Sequence, residues 1–284
     1  MEVVTTKVAL RARLDAERAA GRTVGLVPTM GALHEGHLSL VDAAAAECDV
    51  VALTIFVNPL QFAAGEDLDA YPRPLSRDLE LAEGAGTTVA FTPSTDEMYP
   101  RPTATSVHVE GLTATMEGAS RPTHFDGVTT VVTKLFNVAG PCQAYFGEKD
   151  FQQLAVVRRM ATDLDQPVTV VGRPIVREAD GLAMSSRNVY LSPEERAAAP
   201  VLHRALRAGA ALVEAAERDP AEVAARMATV VGSEPLARLD YAEVVDPDTL
   251  ARPPVLVAGS EVRLLVAAGL GATRLLDNLG VLVP

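Results

Sequence analysis

Five short apolar runs, set apart by four stretches that each carry a helical pattern, constrain this chain more than any other feature. Residues 24–27, 49–57, 88–93, 143–146 and 167–171 read as strands. The second is continuously apolar, as a strand of a parallel sheet buried on both faces should be. Helical patterns cover 7–20 (closed by Gly21), the run starting after Gly36, 75–83, 126–139 and 151–164. Asp126 reads as the N-cap of the fourth helix and Gly140-Pro141 as its stop. Residues 106–110 alternate and are expected to be an edge strand or a detour. Alternating β and α elements with apolar strands predict an α/β fold, a doubly wound parallel sheet with ligands at the carboxyl ends of its strands. After Met184 the texture changes. Ser192-Pro193-Glu194-Glu195 is a capping box leading a long Ala-rich helix to about 217; a second helix covers 220–230, and 239–246 and 261–270 read as strands. We therefore expect two domains, 1–175 with the Rossmann-like sheet and 176–284 as a smaller α+β lid, the boundary lying near 175–190.

Charge narrows the partners. The 284 residues carry 25 Lys and Arg against 37 Asp and Glu, a formal net charge of −12. That balance disfavours nucleic acid and membrane surfaces as partners, which need a basic footprint. It leaves room for a nucleotide, whose phosphates a few local cations can meet. No apolar run is long enough for a bilayer and no charged-then-apolar leader is visible, so a cytoplasmic protein is expected. Cys48 and Cys142 lack CxxC spacing and read as buried thiols in a reducing compartment.

The stretch 24–40, VGLVPTMGALHEGHLSL, carries the strongest chemical signal. A buried strand is broken at Pro28; Thr29, Met30, Gly31 and Gly36 form a Gly-rich turn around His34 and His37; a helix then opens. Free backbone N–H groups and the positive end of the helix dipole face whatever the turn holds. Two imidazoles beside them suit a polyphosphate. The spacing is neither GxGxxG nor a P-loop, and HEGH lacks the i, i+4 spacing of HExxH, so no metal ligand set is read. A plain i, i+3 surface pair is the bland alternative.

Three further clusters fall at strand ends. FVNPLQF (56–62) presents Asn58 and Gln61, amides able to donate and accept toward a small hydroxy acid, though an ordinary Asn-Pro turn fits equally well. FGEKDFQQL (146–154) offers Gly147 as room for a ligand, Lys149 as a mobile point charge for phosphate, Asp150 as a cap or ribose acceptor, and Gln153 one turn on. In 177–192, READGLAMSSRNVYLS, Ser185 and Ser186 supply hydroxyls and Arg187 a forked cation, a loop suited to a leaving pyrophosphate. ASRPTHFDGV (119–128) adds Arg121, a candidate for phosphate or carboxylate, and His124.

His-x-Gly-His after a strand is similar to the signature of class I aminoacyl-tRNA synthetases and their adenylyltransferase relatives, the HIGH-motif superfamily. PTMGALHEGHLSL, GEKD followed by QQL, and MSSRN resemble the pantoate–β-alanine ligase (pantothenate synthetase) family in particular. The resemblance is dense over 24–40, 56–73 and 119–191 and returns at 263–278. It implies ATP binding by Met30, Gly31, His34, His37, Gly147, Lys149, Asp150, Val176, Met184, Ser185, Ser186 and Arg187. Pantoate or β-alanine would be held by Pro28, Thr29, Met30, Asn58, Gln61, Arg121, His124, Val131, Val132 and Gln153, although Val131 and Val132 are core positions by pattern. His37, His34, Lys149 and Arg187 are the expected catalytic groups. The implied reaction is ATP-dependent condensation of pantoate with β-alanine through a pantoyl adenylate, with magnesium accompanying ATP and a homodimer as the assembly. A transferase moving a nucleotide onto a phosphorylated acceptor, and a non-catalytic ATP sensor, stay open as alternatives.

Overall fold

A computed structural model describes all residues, 1–284. By its internal contacts the chain forms two compact units, 1–148 with 152–174, and 149–151 with 175–284.

The first unit is a six-stranded parallel sheet. In chain order its elements are β1 (Glu2–Val4), α1 (Lys7–Ala19), β2 (Val24–Thr29), α2 (Glu35–Glu47), β3 (Val50–Ile55), α3 (Leu75–Gly84), β4 (Val89–Phe91), α4 (Thr95–Met98), α5 (Glu117–Ser120), α6 (His124–Ala139), β5 (Cys142–Gly147), α7 (Phe151–Asp163) and β6 (Val168–Arg173). The strand order is β1-β4-β3-β2-β5-β6, every pair parallel. From β2 the chain runs outward through β3 to β4, then returns to β5 on the other side of β2. The reversal between β2 and β5 is where an open α/β sheet leaves a crevice at its carboxyl edge.

Side chains alternate across the sheet, as the two-residue period of a strand dictates. Leu26, Ala52, Phe91, Ala144 and Phe146 pack with Leu10, Leu14, Phe136 and Met160 in one core layer. Val27, Val51, Leu53 and Tyr145 pack with Leu40, Val41, Ala44 and Ala82 in the other. Each fully buried leucine in these layers contributes about 1.5–3 kcal/mol.

One helix boundary in this unit needs correction. The fourth helix starts at His124, not after Asp126. Asp126 lies in its first turn, where a carboxylate still favours the dipole, and its Oδ1 accepts from His108 Nδ1 at 2.7 Å. Of the two readings open for 106–110, the structure takes the detour: the segment forms no strand. Its Val107 N–H donates to Thr130 Oγ1 at 3.0 Å and its carbonyl accepts from Thr129 Oγ1, so side chains of α6 take the bonds a neighbouring strand would have taken.

The second unit holds a three-stranded antiparallel sheet, β7 (Ala237–Val245), β8 (Glu261–Leu270) and β9 (Thr273–Leu282), in that order, with a register shift between Leu239 and Tyr241. Its helices are α8 (Pro193–Ala198), α9 (Val201–Glu214) and α10 (Pro220–Gly232). Ser192 and Glu195 form the expected capping box with Pro193 at the first helical position. The single long Ala-rich helix is, however, two. Pro200 interrupts it, because a proline inside a helix removes a backbone donor and its ring collides with the preceding turn. No helix of the chain is long and apolar enough to cross a membrane.

Candidate active site

The turn after β2 is built around the two histidines. His34 is the N-cap of α2; its Nδ1 accepts from Gly36 N at 3.2 Å, and its own N–H points to His37 Nδ1 at 3.4 Å, a capping box made of two imidazoles. The rings lie 4.1 Å apart between centroids. With Nδ1 of each ring accepting from the backbone, the neutral imidazole carries its proton on Nε2. Two N–H donors thus stand at a helix N-terminus, where backbone donors and dipole already favour an anion.

Sequence reading missed the group that shapes this turn. Asp78 of α3 is 1% exposed, and its two oxygens accept from Ala32 N at 2.9 Å and Leu33 N at 2.8 Å. Gly31 sits at φ +83°, and a Cβ there would meet Asp78 Oδ2 at 2.9 Å. Thr29 Oγ1 donates to Thr54 O at 2.7 Å and accepts from Gly31 N at 3.2 Å, which closes the turn from the strand side. Pro28 does not break the strand as expected: β2 runs through it to Thr29, with Pro28 and Thr29 still in register with Thr54 and Ile55 of β3.

The turn after β3 holds the amide cluster. Asn58 is 1% exposed and fully engaged: Nδ2 donates to Gly127 O at 3.0 Å and to Gln61 Oε1 at 3.2 Å, while Oδ1 accepts from Tyr99 Oη at 2.8 Å. It orients Gln61 and has little left to offer a ligand. Gln61 Nε2 reaches Met30 Sδ at 2.9 Å, so the turns after β2 and β3 touch. Tyr99 remains a phenol, burial pushing its hydroxyl up to about 12. Arg121 and His124 converge on the same residue: Arg121 Nη2 donates to Gln61 O at 3.2 Å and His124 Nδ1 at 2.9 Å. Arg121 is also clamped by Glu66 at 2.6 and 2.9 Å. Burial alone would raise the Glu66 carboxyl, but the Arg121 hydrogen bond and charge hold it below the usual range. Val131 and Val132 are buried in the first core layer, and Gln153 is half-buried in the first turn of α7.

Gly147 ends β5, and a Cβ built on it would meet nothing within 4 Å. Lys149 and Asp150 lie in the 3-10 turn that follows, Nζ and Oδ1 at 3.5 Å. In the second unit, residues 176–184 form a closed hairpin: Met184 N donates to Val176 O at 3.0 Å, and Arg177 pairs with Ala183. Ser185 caps the 3-10 turn Ser186–Tyr190, its Oγ accepting from Arg187 N at 3.3 Å.

In the first unit, then, the structure brings together Thr29, Met30, His34, His37, Asn58, Gln61, Arg121 and His124 through the ends of β2 and β3 and the start of α6. In the second it places Val176, Met184, Ser185, Ser186 and Arg187 on one hairpin and its exit. Neither Glu66 nor Tyr99 could be foreseen from spacing.

An α/β protein with polar turns at the carboxyl ends of a parallel sheet is of the class that holds small ligands there, and two imidazoles at a helix start suit an anionic one. The family profile described as pantoate-beta-alanine ligase matches residues 2–280. A pantothenate synthetase of Heliobacterium modesticaldum is 58% identical over 261 residues, 92% of each chain. One of Allorhizobium ampelinum is 54% identical, over 98% of this chain and 96% of its own. The crystal structure of pantothenate synthetase from Thermus thermophilus superposes with a TM-score of 0.92 at 51% identity, covering 98% of this chain and 99% of that one. That of the Francisella tularensis pantoate-beta-alanine ligase, complexed with beta-gamma ATP and beta-alanine, gives 0.81 at 29% identity, over 98% and 97%. The chain belongs to the pantoate–β-alanine ligase family.

Proposed function

We propose that the chain condenses pantoate with β-alanine in two half-reactions. A pantoate carboxylate oxygen attacks the α-phosphorus of ATP, the bond to the bridging oxygen breaks, and pyrophosphate leaves. The β-alanine amine then attacks the carbonyl carbon of the acyl adenylate, AMP departs with the bonding pair, and the amine loses a proton to give pantothenate. Neither cysteine is needed as a nucleophile. The work of the protein is positioning and charge stabilisation at phosphorus. His34 and His37 donate Nε2–H to the α- and β-phosphates; Lys149, Ser185, Ser186 and Arg187 neutralise the departing pyrophosphate. Gln61, held by Asn58, Arg121 and His124, presents its amide to pantoate, with Gln153 as a second amide. Met30, Gly31, Gly147, Asp150, Val176 and Met184 complete the ATP contacts in this reading, and Pro28, Thr29, Val131 and Val132 those of pantoate.

The observation that carries the proposal is the double-histidine cap of α2, whose two Nε2–H groups act as fixed donors for charge developing on phosphate. A hydrogen-bond donor role follows for His37. Magnesium would enter on ATP, with phosphate oxygens as its main ligands. The homodimer and the cytoplasmic location implied by the resemblance belong to the same proposal.

ATP–pyrophosphate exchange with magnesium, without β-alanine, tests it. Exchange that requires pantoate is expected, and His37→Ala should reduce it by about a hundredfold or more while costing only about 1 kcal/mol of stability through the lost cap. Folded protein without pantoate-dependent exchange would refute the adenylate.

A further inference from the structure

The second unit contains a buried polar network that the proposed chemistry does not use directly. Asp277 and Asn278, adjacent on β9, are 3% and 1% exposed, and Arg263 on β8 is 7% exposed. The pair Asp277 makes with the partly exposed Arg177 is by itself weak evidence for stability. Arg177 grips Asp277 with both terminal nitrogens, at 2.6 and 2.9 Å, and also donates to the carbonyls of Gly181 at 2.9 Å and Asn278 at 3.2 Å. Asn278 faces a different segment. Its Nδ2 donates to the Lys149 carbonyl at 2.8 Å, and its Oδ1 accepts from Arg263 Nε at 2.8 Å. The Arg263 guanidinium in turn lies 4.0 Å from the ring centroid of Phe151, two residues beyond Lys149.

Two neighbouring residues of one strand therefore hold segments 129 and 100 positions away in sequence. One is the turn that carries Lys149; the other is the root of the hairpin leading to Ser185, Ser186 and Arg187. That hairpin is braced further along. Asn188 Nδ2 donates to Glu178 Oε1 and Ala183 O, both at 3.2 Å, and Arg196 pairs with Glu178 and Asp180, both at 2.6 Å.

We propose that Asp277 and Asn278 are positioning residues for pyrophosphate departure: together they fix Lys149 and the 185–187 loop at a set separation, so that both cations meet the same leaving group. The inference rests on the function proposed above, which assigns both segments to phosphate. Charges fixed in advance need no reorganisation as the bond breaks, which is what makes them effective.

Double-mutant cycles in pantoate-dependent ATP–pyrophosphate exchange test it. Asn278→Asp keeps the size and the acceptor for Arg263 but replaces the donor to the Lys149 carbonyl with a second acceptor. It should lower kcat about tenfold with little change in KM for pantoate, the result of displacing a positioned charge. In a Lys149→Ala background the same substitution should cost less than about twofold, since its effect runs through Lys149. Arg177→Lys, a milder change that keeps the charge and loses the two-point grip, should lower kcat about fivefold, and much less in an Arg187→Ala background. Equal losses in both backgrounds would show a merely structural role and overturn the inference; should Asn278→Asp fail to fold, the Arg177→Lys cycle decides alone. Failure of the functional reading looks different. Either the unaltered protein shows no pantoate-dependent exchange, or Lys149→Ala retains full activity, and in both cases the inference falls with its premise.

Discussion

Replacing Gly127 by alanine is the sharpest test of how the amide cluster is built. Gly127 lies in the first turn of α6, against the turn that carries Gln61. A Cβ there would lie 2.3 Å from Leu60 O, 2.4 Å from Leu60 C and 2.5 Å from Gln61 N, against 3.4 Å for ordinary contact. All three neighbours are backbone, so no side chain can swing aside. The turn must retreat by about 1 Å. The bonds most exposed to that retreat are Asn58 Nδ2 to Gly127 O, now 3.0 Å, and His124 Nδ1 to Gln61 O, now 2.9 Å. Overpacking of this kind costs about 1–3 kcal/mol of stability, and a 1 Å misplacement of a positioning group can cost about a hundredfold in rate. In pantoate-dependent exchange, Gly127→Ala should therefore lose about one to two orders of magnitude in kcat/KM for pantoate, with KM for ATP little changed. Gly84→Ala, where a Cβ meets nothing within 4 Å, serves as the neutral control. A Gly127→Ala protein with unchanged Tm and unchanged kinetics for pantoate would refute this role for the cluster.

Three further outcomes are expected. Gly147→Ala should fold normally, since its Cβ has open space, but should weaken ATP binding by about tenfold or more if the nucleotide backbone runs there; titration calorimetry with a non-hydrolysable ATP analogue reads this, and unchanged affinity would remove Gly147 from the ATP contacts. Asp78→Ala should release the Ala32 and Leu33 amides and cost about 1–3 kcal/mol in denaturant unfolding, together with most of the exchange activity; a stable, active variant would show that the turn holds itself. Burial, then the nearby Arg177 charge, lowers the pKa of His203 from its ordinary 6.5. The unfolded chain accordingly binds a proton below about pH 6.5 that the folded chain resists, so stability is full above that pH and declines as pH falls. His203→Gln should flatten that decline, and an unaltered pH profile of unfolding would show that the group is not linked to folding.

Local patterns in the sequence were enough for most of the fold. The apolar runs at 24–27, 49–57 and 143–146 became β2, β3 and β5 because continuous apolar strands have one stable setting, the middle of a parallel sheet. Where competing signals met, the pattern misled. Alanine's helix propensity masked Pro200, which splits the long helix into α8 and α9. The alternation at 106–110 left an edge strand and a detour both open, and the detour forms because Thr129 and Thr130 take the backbone bonds of Val107. Among the residues proposed for function, the histidines, Gln61 and the 185–187 loop could be singled out because short local motifs, and the family they resemble, mark them. Asp78, Glu66, Tyr99 and the Asp277–Asn278 pair could not. They act on segments tens to hundreds of residues away, and no local spacing records which backbone amide a distant carboxylate will hold.

The most direct test of the adenylate follows the oxygen. Pantoate labelled with oxygen-18 in both carboxylate oxygens is turned over with ATP and β-alanine, and the products are weighed by mass spectrometry. The mechanism requires one carboxylate oxygen to pass to the α-phosphorus and leave with it, so AMP should carry a single label and pyrophosphate none. Unlabelled AMP, or label in inorganic phosphate, would contradict the account.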